Sequence, residues 1–234
     1  MIVSCPSPGC GHAHRIPVSA LGERLLCVSC GCGFRAAERW FEGRDFVIYD
    51  LETTGLYPEQ DEFIQIAAVR FRDGCLCRGE TFHAYARPRR PISSFIENYT
   101  GVTNAHVRGA PRPEEVLADF AGFSGNATLI AHNGKRFDAK FLEATCHRHR
   151  LSARPVECID SIQLSKLAFG RTRGIGHSMD HLMSRLGLGQ GNFRRHDARG
   201  DVEVLGEAVA RLRDLLGLDK ALNGVARHQT LLPV

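Results

Sequence analysis

The stretch Phe46-Val47-Ile48-Tyr49-Asp50-Leu51-Glu52 decides how this chain is organised, because four apolar residues lead directly into two carboxylates. A short apolar run of this kind predicts a buried β-strand. Since side chains alternate along a strand, Asp50 and Glu52 point to the same side. Two carboxylates held together at the end of a buried strand repel each other and, when ionised, need a cation. An isolated Asp-x-Glu is more often part of an ordinary turn, so its meaning depends on the other acids in the chain.

Further strands and helices follow this stretch. A turn signal at Asp73-Gly74 joins the second and third strands as a hairpin. In the last helical segment, apolar residues recur at three- and four-residue steps and form one stripe. The predicted strands cover 46–49, 63–71, 80–86, 128–131 and 156–159, and the predicted helices cover 114–122, 136–150, 161–169, 178–186 and 198–216. This order predicts an α/β fold with a mixed five-stranded sheet and helices on both faces.

The composition is that of a globular protein. The 234 residues, 43% of them hydrophobic and 24% charged, are enough for one full core and a small additional module. We predict a module at 1–40, a larger domain at 45–218 and, at 219–234, a tail that forms a short helix or stays loose. No apolar run approaches the ~20 residues of a membrane span, and the chain reaches Cys5 without room for a signal peptide. We therefore expect a cytoplasmic protein with no membrane partner.

The charge distribution is more informative than the net charge of +4, which alone does not require a polyanionic partner. Residues 147–195 carry nine Lys or Arg against three acids. A solvated, arginine-rich surface is the simpler interpretation of such a stretch. A rim that contacts phosphates becomes the better one where acidic metal ligands lie beside it.

The cysteines indicate a metal site near the N-terminus. Five of the nine fall within the first 32 residues, and a chain without a secretion signal favours metal over disulfides. Two knuckle-like pairs, typical of a zinc ribbon, supply the expected ligands Cys5, Cys10, Cys27 and Cys30. Substitute ligands would be Cys32, His12 and His14. Four thiolates prefer Zn²⁺ and leave no open coordination position, so this site would be structural, with free reduced cysteines as the alternative. We expect the remaining cysteines to be packing residues, namely Cys75, Cys77, Cys146 and Cys158.

Two helix starts bring further polar residues. The segment 132–138, His-Asn-Gly-Lys-Arg-Phe-Asp, follows the fourth strand and places Asp138 in the first turn of a helix. His196 precedes the last helix, and Asp201 lies about one turn in, beside the stripe that faces the sheet. Each alone has an ordinary explanation, as an acid favoured near a helix N-terminus or a surface histidine. Four acids and one histidine, each at a strand end or a helix start, predict a shared site.

This constellation resembles the DEDDh (DnaQ-like) 3′→5′ exonucleases, the family of the proofreading epsilon subunit of bacterial DNA polymerase III. The match covers roughly residues 45–216, and its three motifs are Asp50-Leu51-Glu52-Thr53-Thr54-Gly55, His132-Asn133 with Phe137-Asp138, and His196 with Asp201. Any one motif is a weak signal, but three in order are highly specific. The second motif has one residue more than usual at 134–136, which Gly134 would absorb as a bulge or wider turn.

The resemblance implies a ribonuclease H-like fold and phosphodiester hydrolysis. Two Mg²⁺ or Mn²⁺ ions about 3.5–4 Å apart would stabilise charge on the attacking and leaving oxygens, and carboxylates suit such ions. By resemblance, Asp50 would bridge both ions, Glu52 and Asp201 would complete one site, and Asp138 would act on the second. His196 would be the general base, since an ordinary histidine pKa of ~6.5 lies near working pH.

The same resemblance implies a set of substrate contacts. Leu56 would wedge near the terminal bases and Phe137 would stack on a base or sugar, although both could be core side chains. Contacts of this type are made with phosphates, sugars and the faces of bases rather than with base edges. They therefore predict an enzyme with little preference for nucleotide sequence. Thr53 and Thr54 could contact the 3′ hydroxyl or simply cap the turn. The complete set is Thr53, Thr54, Gly55, Leu56, His132, Asn133 and Phe137.

The predicted function is a metal-dependent exonuclease that releases nucleoside monophosphates from single-stranded or frayed 3′ ends, with DNA favoured over RNA. One alternative is an exoribonuclease. Another is a non-catalytic nucleic-acid-binding or polymerase-associated scaffold that recruits partners through the cysteine module. The complete acid set with His196 favours the enzyme. Whether the cysteine module binds nucleic acid, a polymerase, another protein or the exonuclease domain itself stays open.

Overall fold

The N-terminal residues form two small hairpins. The computed structural model describes residues 2–5, 7, 10, 12–16, 20, 23–35, 45–72, 75–170, 176–188, 197–216 and 225–234. Strands β1 (Ile2–Ser4) and β2 (Ala13–Arg15) pair antiparallel, as do β3 (Arg24–Leu26) and β4 (Gly33–Arg35). A small buried cluster contains Cys5, Ile16, Cys27 and Phe34. These hairpins, with their cysteines close together, agree with the predicted zinc-ribbon-like module.

The main sheet is mixed, as predicted, but has six strands rather than five. In chain order they are β5 (Asp45–Thr53), β6 (Phe63–Arg72), β7 (Cys75–Tyr85), β8 (Thr128–Ala131), β9 (Ala153–Asp160) and β10 (Arg227–Pro233). Their order across the sheet is β10-β9-β8-β5-β6-β7. Strands β5, β8 and β9 are parallel, whereas β6, β7 and β10 run antiparallel to their neighbours. The predicted turn at Asp73-Gly74 lies outside the described residues.

The sixth strand corrects the prediction of a short helix or loose tail for residues 225–234, whereas 219–224 lie outside the described residues. Strand β10 pairs with β9 from Arg227 opposite Ile159 to Pro233 opposite Ala153. Its buried residues alternate, with Leu232 fully buried and the Thr230 hydroxyl donating to the Ala139 carbonyl at 2.9 Å. An edge strand with a proline and two buried side chains carries little periodic signal. Its neighbours in space decide its conformation.

The five predicted helices are confirmed, and two short ones were not predicted. Within the described residues the helices are α1 (Ser94–Thr100), α2 (Asn104–Val107), α3 (Pro113–Ser124), α4 (Asp138–Arg148), α5 (Ser161–Phe169), α6 (Met179–Leu186) and α7 (Ala198–Leu216). The first two are too short to show helical periodicity. They begin at polar caps, where Ser93 accepts a hydrogen bond from Ile96 N–H and Thr103 from His106 N–H. No helix in the described ranges is long and apolar enough to cross a membrane.

Helices cover both faces of the main sheet. Helices α3 and α4 pack through residues such as Phe120 and Phe141 on the face that carries Val47, Tyr49 and Leu51 of β5. Helices α5, α6 and α7 pack on the opposite face, which carries Phe46 and Ile48 of the same strand. The alternation along β5 continues beyond Ile48, so its next even-numbered side chains point to the α7 side. The two carboxylates of the first motif therefore lie on the sheet face that packs against α7, close to the first turn of that helix.

Candidate active site

Three carboxylates converge between β5 and the first turn of α7. Oxygen atoms of Asp50, Glu52 and Asp201 all lie within 4.8 Å of one another. Glu52 and Asp201 are each only 8% exposed. Carboxylates this close and largely removed from water repel each other when ionised, so the arrangement favours a bound cation. An all-oxygen donor set of this kind fits Mg²⁺ or Mn²⁺.

Asp201 reaches the group because of the way α7 begins. Its backbone N–H donates to the Asp197 carbonyl at 3.0 Å, which places it in the first helical turn. On the same helix, Ala198 and Val202 are buried in the core cluster against the sheet. The packing of this stripe therefore turns Asp201 towards β5, although 151 positions of sequence separate it from Asp50.

Asp138 lies beside this group rather than within it. Its Oδ1 accepts a hydrogen bond from Leu51 N–H at 3.2 Å, between the two acids of β5. Among the described residues, only the other three acids form the 4.8 Å group. Burial raises the pKa of Asp138 to about 7, against opposing backbone hydrogen bonds from Asp138 and Leu51 and with a contribution from Asp160. A cation near this carboxyl would favour its charged form.

Asn133, rather than Gly134, takes the unusual conformation in the lengthened second motif. Asn133 has φ +60°, a left-handed value that asparagine tolerates, and its carbonyl accepts hydrogen bonds from Arg136 and Phe137 N–H. Gly134 does not have positive φ within the described backbone. A Cβ at Gly134 would lie 2.6 Å from the Ala131 Cβ. Close packing therefore requires glycine at this position, which lies in a turn over 134–137, in agreement with the expected wider turn.

Asp160 holds the second motif in place and is not among the predicted site residues. It is 4% exposed, and its carboxylate accepts from Asn133 N–H at 3.1 Å and Lys135 N–H at 3.4 Å. It also caps α5 by accepting from Ile162 N–H at 3.0 Å. The sequence signal that could have indicated this role is an aspartate directly after a buried strand and directly before a helix. His132 is anchored beside it, with Nδ1 2.9 Å from the Ser161 hydroxyl.

The loop after β5 is held by the Asp61 carboxylate. Asp61 accepts from the Thr54 hydroxyl at 3.1 Å and from Tyr57 N–H at 2.9 Å. A Cβ at Gly55 would overlap the Asp61 carboxylate, so only glycine allows this approach. The Thr53 hydroxyl donates to the Gly55 carbonyl at 2.6 Å. In this structure both threonine hydroxyls thus stabilise the turn, which was one of the two open interpretations.

The two apolar residues expected near the substrate differ in exposure. Leu56 is 73% exposed at the tip of the loop after β5, and the adjacent Tyr57 is 64% exposed. Phe137 is half-buried, and its ring lies 5.0 Å from that of Phe141 in a tilted arrangement. Leu56 is therefore available for contacts outside the domain, while Phe137 contributes to the core as well.

His196 lies outside the described residues, as does the whole segment 189–196. Several basic residues of the stretch 147–195 can be placed. Arg148 donates to the carbonyls of Pro58 and Asp61 at 2.6 and 3.0 Å, and Arg154 donates to the Gly125 carbonyl. The Arg185 guanidinium lies 5.1 Å from the centre of the Phe169 ring. These three side chains support the fold, so a phosphate-contacting rim would depend on the other basic residues.

The four predicted cysteines form a second, separate donor group. The sulfur atoms of Cys5, Cys10, Cys27 and Cys30 all lie within 4.8 Å of one another. His14 Nε2 lies 3.3 Å from the Cys27 sulfur. Although burial opposes ionisation, backbone hydrogen bonds from Cys30 and Ser29 lower the pKa of the Cys27 thiol to about 5. A thiolate-rich group of this geometry fits Zn²⁺.

Comparisons with known proteins agree with this geometry. The family model described as "Exonuclease" (RNase_T) matches residues 47–209. The chain is 37% identical over 205 residues to the "DNA polymerase III subunit epsilon-like protein" of Rhodobacter capsulatus. That alignment covers 84% of this chain but only 28% of the relative, so the chain spans less than a third of the relative's length.

Solved structures show the same fold. E. coli exonuclease I in complex with single-stranded DNA matches with a TM-score of 0.62 and 19% identity, over 77% of this chain and 42% of that chain. A 3′-exonuclease that recognises the histone mRNA stem-loop matches with a TM-score of 0.62 and 22% identity, over 73% and 64% of the two chains. Because the family model covers most of the chain and includes the converging carboxylates, the chain belongs to the DEDDh, DnaQ-like family of exonucleases.

Proposed function

We propose that this chain is a metal-dependent 3′→5′ exonuclease that releases nucleoside monophosphates from single-stranded or frayed ends. The observation that carries the proposal is the convergence of Asp50, Glu52 and Asp201 within 4.8 Å, with buried Asp138 alongside. Membership of an exonuclease family supports phosphodiester hydrolysis as the reaction.

The acids would hold a pair of Mg²⁺ or Mn²⁺ ions. Asp50 would bridge the two, Glu52 and Asp201 would complete one site, and Asp138 would act on the second. When bound, such ions stabilise negative charge on the phosphoryl oxygens and lower the pKa of water. The donor set fits hard cations because it contains only carboxylate oxygens, most of them withdrawn from bulk water.

His196 is the proposed general base. It stands two positions before the first residue of α7, and Asp201 is five positions further along the chain. A histidine near its ordinary pKa of ~6.5 can accept the proton of the attacking water close to neutral pH.

The 3′ terminus would be held by the first two motif loops. The exposed Leu56 would meet the terminal bases, while His132, Asn133 and Phe137 would contact the end from the loop after β8. Thr53, Thr54 and Gly55 would contribute through the loop shape that they maintain. We favour DNA because the epsilon-like relative and exonuclease I carry names tied to DNA, and RNA is the second candidate because of the histone mRNA exonuclease.

The cysteine module would bind one structural Zn²⁺ through Cys5, Cys10, Cys27 and Cys30. Four thiolates close the coordination shell, so the ion would stabilise the module rather than take part in hydrolysis. The module would then serve to recruit nucleic acid, a polymerase or another protein.

The test is digestion of 3′-labelled single-stranded DNA, duplex DNA and single-stranded RNA with Mg²⁺ or Mn²⁺, and with chelator. We expect stepwise release of mononucleotides that the chelator abolishes. His196→Ala should lower the turnover rate by about 10²–10⁴. Asp50→Asn should lower it further and weaken metal binding in a titration, because Asp50 would contact both ions. The exposed acid Asp119 on α3 provides the matched control Asp119→Asn, which should retain wild-type activity.

The outcome also separates the enzyme from a non-catalytic scaffold. A wild-type chain that binds the oligonucleotides but releases no nucleotide with either metal would exclude the exonuclease and leave the scaffold. Unchanged metal binding in Asp50→Asn would show that the ligand assignment is wrong.

A further inference from the structure

The start of α7 is tied to the main sheet by one buried side chain, Gln65 of β6. Gln65 is fully buried and lies directly opposite Glu52 in the antiparallel β5–β6 pair. Directly opposed residues project to the same face of a sheet. The Gln65 Oε1 accepts a hydrogen bond from Ala198 N–H at 3.2 Å, and its Nε2 donates to Asp197 Oδ1 at 3.2 Å. One amide thus connects the position opposite Glu52 with the start of α7.

The partners of Gln65 fix the orientation of its amide. The Ala198 N–H can only donate and the Asp197 carboxylate can only accept, so the amide oxygen must face Ala198 and the NH₂ must face Asp197. Nε2 also lies 3.0 Å from His83 Nε2. Burial, together with Arg199, lowers the pKa of His83 against the effect of Asp197, and the neutral ring offers Nε2 as an acceptor.

These contacts define the first turn of α7. The N–H groups of the first helical turn have no acceptor within the helix. Gln65 supplies the acceptor for Ala198, and the Asp197 carboxylate supplies that for Arg199 N–H at 3.1 Å. The Asp197 carbonyl accepts from Asp201 N–H at 3.0 Å. The turn that carries Asp201 is therefore hydrogen-bonded to a side chain on β6, in addition to its packing on the sheet.

We propose that Gln65 is a positioning residue for the metal-dependent reaction, which holds Asp201 where it can share a cation with Asp50 and Glu52. It would act through Ala198 and Asp197 and would not touch the substrate. The inference rests on the proposed exonuclease function. An amide is suited to this role because it donates to one partner and accepts from the other without adding charge beside the three carboxylates.

Three variants test the donor and acceptor pattern. Gln65→Met keeps the length of the side chain and removes its hydrogen bonds to Ala198, Asp197 and His83. Gln65→Glu keeps an acceptor for Ala198 but places a carboxylate against Asp197. In the double variant Gln65→Glu with Asp197→Asn, the new asparagine amide can donate to the new glutamate, so the pair is complementary again and the net charge is unchanged.

Turnover, KM for 3′-labelled single-stranded DNA and the Mn²⁺ concentration for half-maximal activity are measured for each variant. Gln65→Met and Gln65→Glu should each lower kcat by about 10- to 100-fold, because a ligand displaced by about 1 Å can cost that much. KM for DNA should change little, and more Mn²⁺ should be needed. The double variant should recover most of the loss seen in Gln65→Glu.

Thr100→Val is the matched control for a purely structural effect. It removes a buried hydroxyl on α1 that donates to the Ile96 carbonyl at 2.9 Å and accepts from Val102 N–H at 3.0 Å. It should lower Tm without changing kcat or the Mn²⁺ requirement.

Two results would overturn the positioning role. One is a Gln65→Met variant with wild-type kcat and Mn²⁺ requirement, and the other is a double variant whose kcat is no higher than that of Gln65→Glu. If the wild-type chain releases no nucleotide, the proposed function fails instead. In that case calorimetric Mn²⁺ titration still decides the role of Gln65, because unchanged affinity in Gln65→Met would overturn it.

Discussion

At the scale of single residues, burial makes Asp138 a carboxyl that holds its proton close to neutral pH. Its pKa is raised from the ordinary 3.8 to about 7, with burial as the main cause. The folded chain therefore binds this proton more tightly than the unfolded chain does. The resulting stabilisation is fully present below the unfolded pKa and is lost as pH rises through about 7. A divalent cation would offset the loss by stabilising the charged form.

This linkage predicts how stability depends on pH when a chelator is present. Between about pH 4 and about pH 7, we expect the Tm of the wild-type chain to fall relative to that of Asp138→Asn, because an amide does not ionise. Asp119→Asn, on the exposed side of α3, should keep the wild-type slope. Adding Mn²⁺ at the upper end of the range should raise Tm more in the wild type than in Asp138→Asn. Scanning calorimetry measures both, and equal slopes in the two proteins would contradict the role of Asp138.

Substitution by alanine should have opposite effects on stability at two glycines, Gly134 and Gly122. Gly134→Ala should destabilise by about 1–3 kcal/mol, because the new Cβ would lie 2.6 Å from that of Ala131. Gly122→Ala, at an exposed helical position of α3 with open space around it, should stabilise by about 0.5–1 kcal/mol. Urea unfolding compares the two. A Gly134→Ala chain as stable as the wild type would mean that the second motif loop adapts freely.

At the scale of elements, β10 completes the sheet and supports α4. It pairs with β9, and Thr230 bonds to the Ala139 carbonyl in the first turn of the helix that begins with Asp138. The last described strand is therefore structurally linked to a helix that supplies a site residue.

Truncation of a β10 side chain should consequently affect the whole domain. Leu232→Ala should lower the free energy of unfolding by about 2–5 kcal/mol, because Leu232 is fully buried in the core under α3 and α4. Val234→Ala, at a position 85% exposed, is the control and should be nearly neutral. Denaturant titration followed by circular dichroism distinguishes them. A neutral Leu232→Ala would mean that the C-terminal segment is dispensable.

At the scale of the whole molecule, the chain separates two kinds of metal chemistry. The N-terminal group offers only sulfur, whereas the site between β5 and α7 offers only carboxylate oxygen. Zn²⁺ prefers thiolates, while Mg²⁺ and Mn²⁺ prefer oxygen. The two sites should therefore load and lose metal independently.

Metal analysis of the purified chain tests this separation. We expect about one zinc per chain, as in a closed four-thiolate site, and loss of most of it on dialysis of Cys27→Ser. Cys77→Ser, a cysteine of β7 outside the group, should retain zinc. Calorimetric Mn²⁺ affinity should be the same in both variants. A Cys27→Ser chain that keeps its zinc would rule out the proposed ligands, and a joint loss of Mn²⁺ binding would contradict independence.

Local sequence patterns were enough to predict most of the main elements and the chemistry that they carry. The apolar run before Asp50, the stripe of α7 and the turn residues between them are local patterns, and local patterns decide whether a segment becomes strand or helix. Alternation along β5 alone places Asp50 and Glu52 on one face, as the structure has them. The order and spacing of the three motifs indicated the family before any contact was known.

Features that depend on contacts between distant residues could not be predicted from local patterns. Leu51 N–H donates a hydrogen bond to Asp138, which is 87 positions further along the chain, and Gln65 donates one to Asp197, which is 132 positions further. No local pattern in the sequence indicates either contact. The same is true of β10, which becomes a strand because β9 offers an edge. Periodicity records which face of an element is apolar, but the neighbour on that face is chosen when the whole core packs.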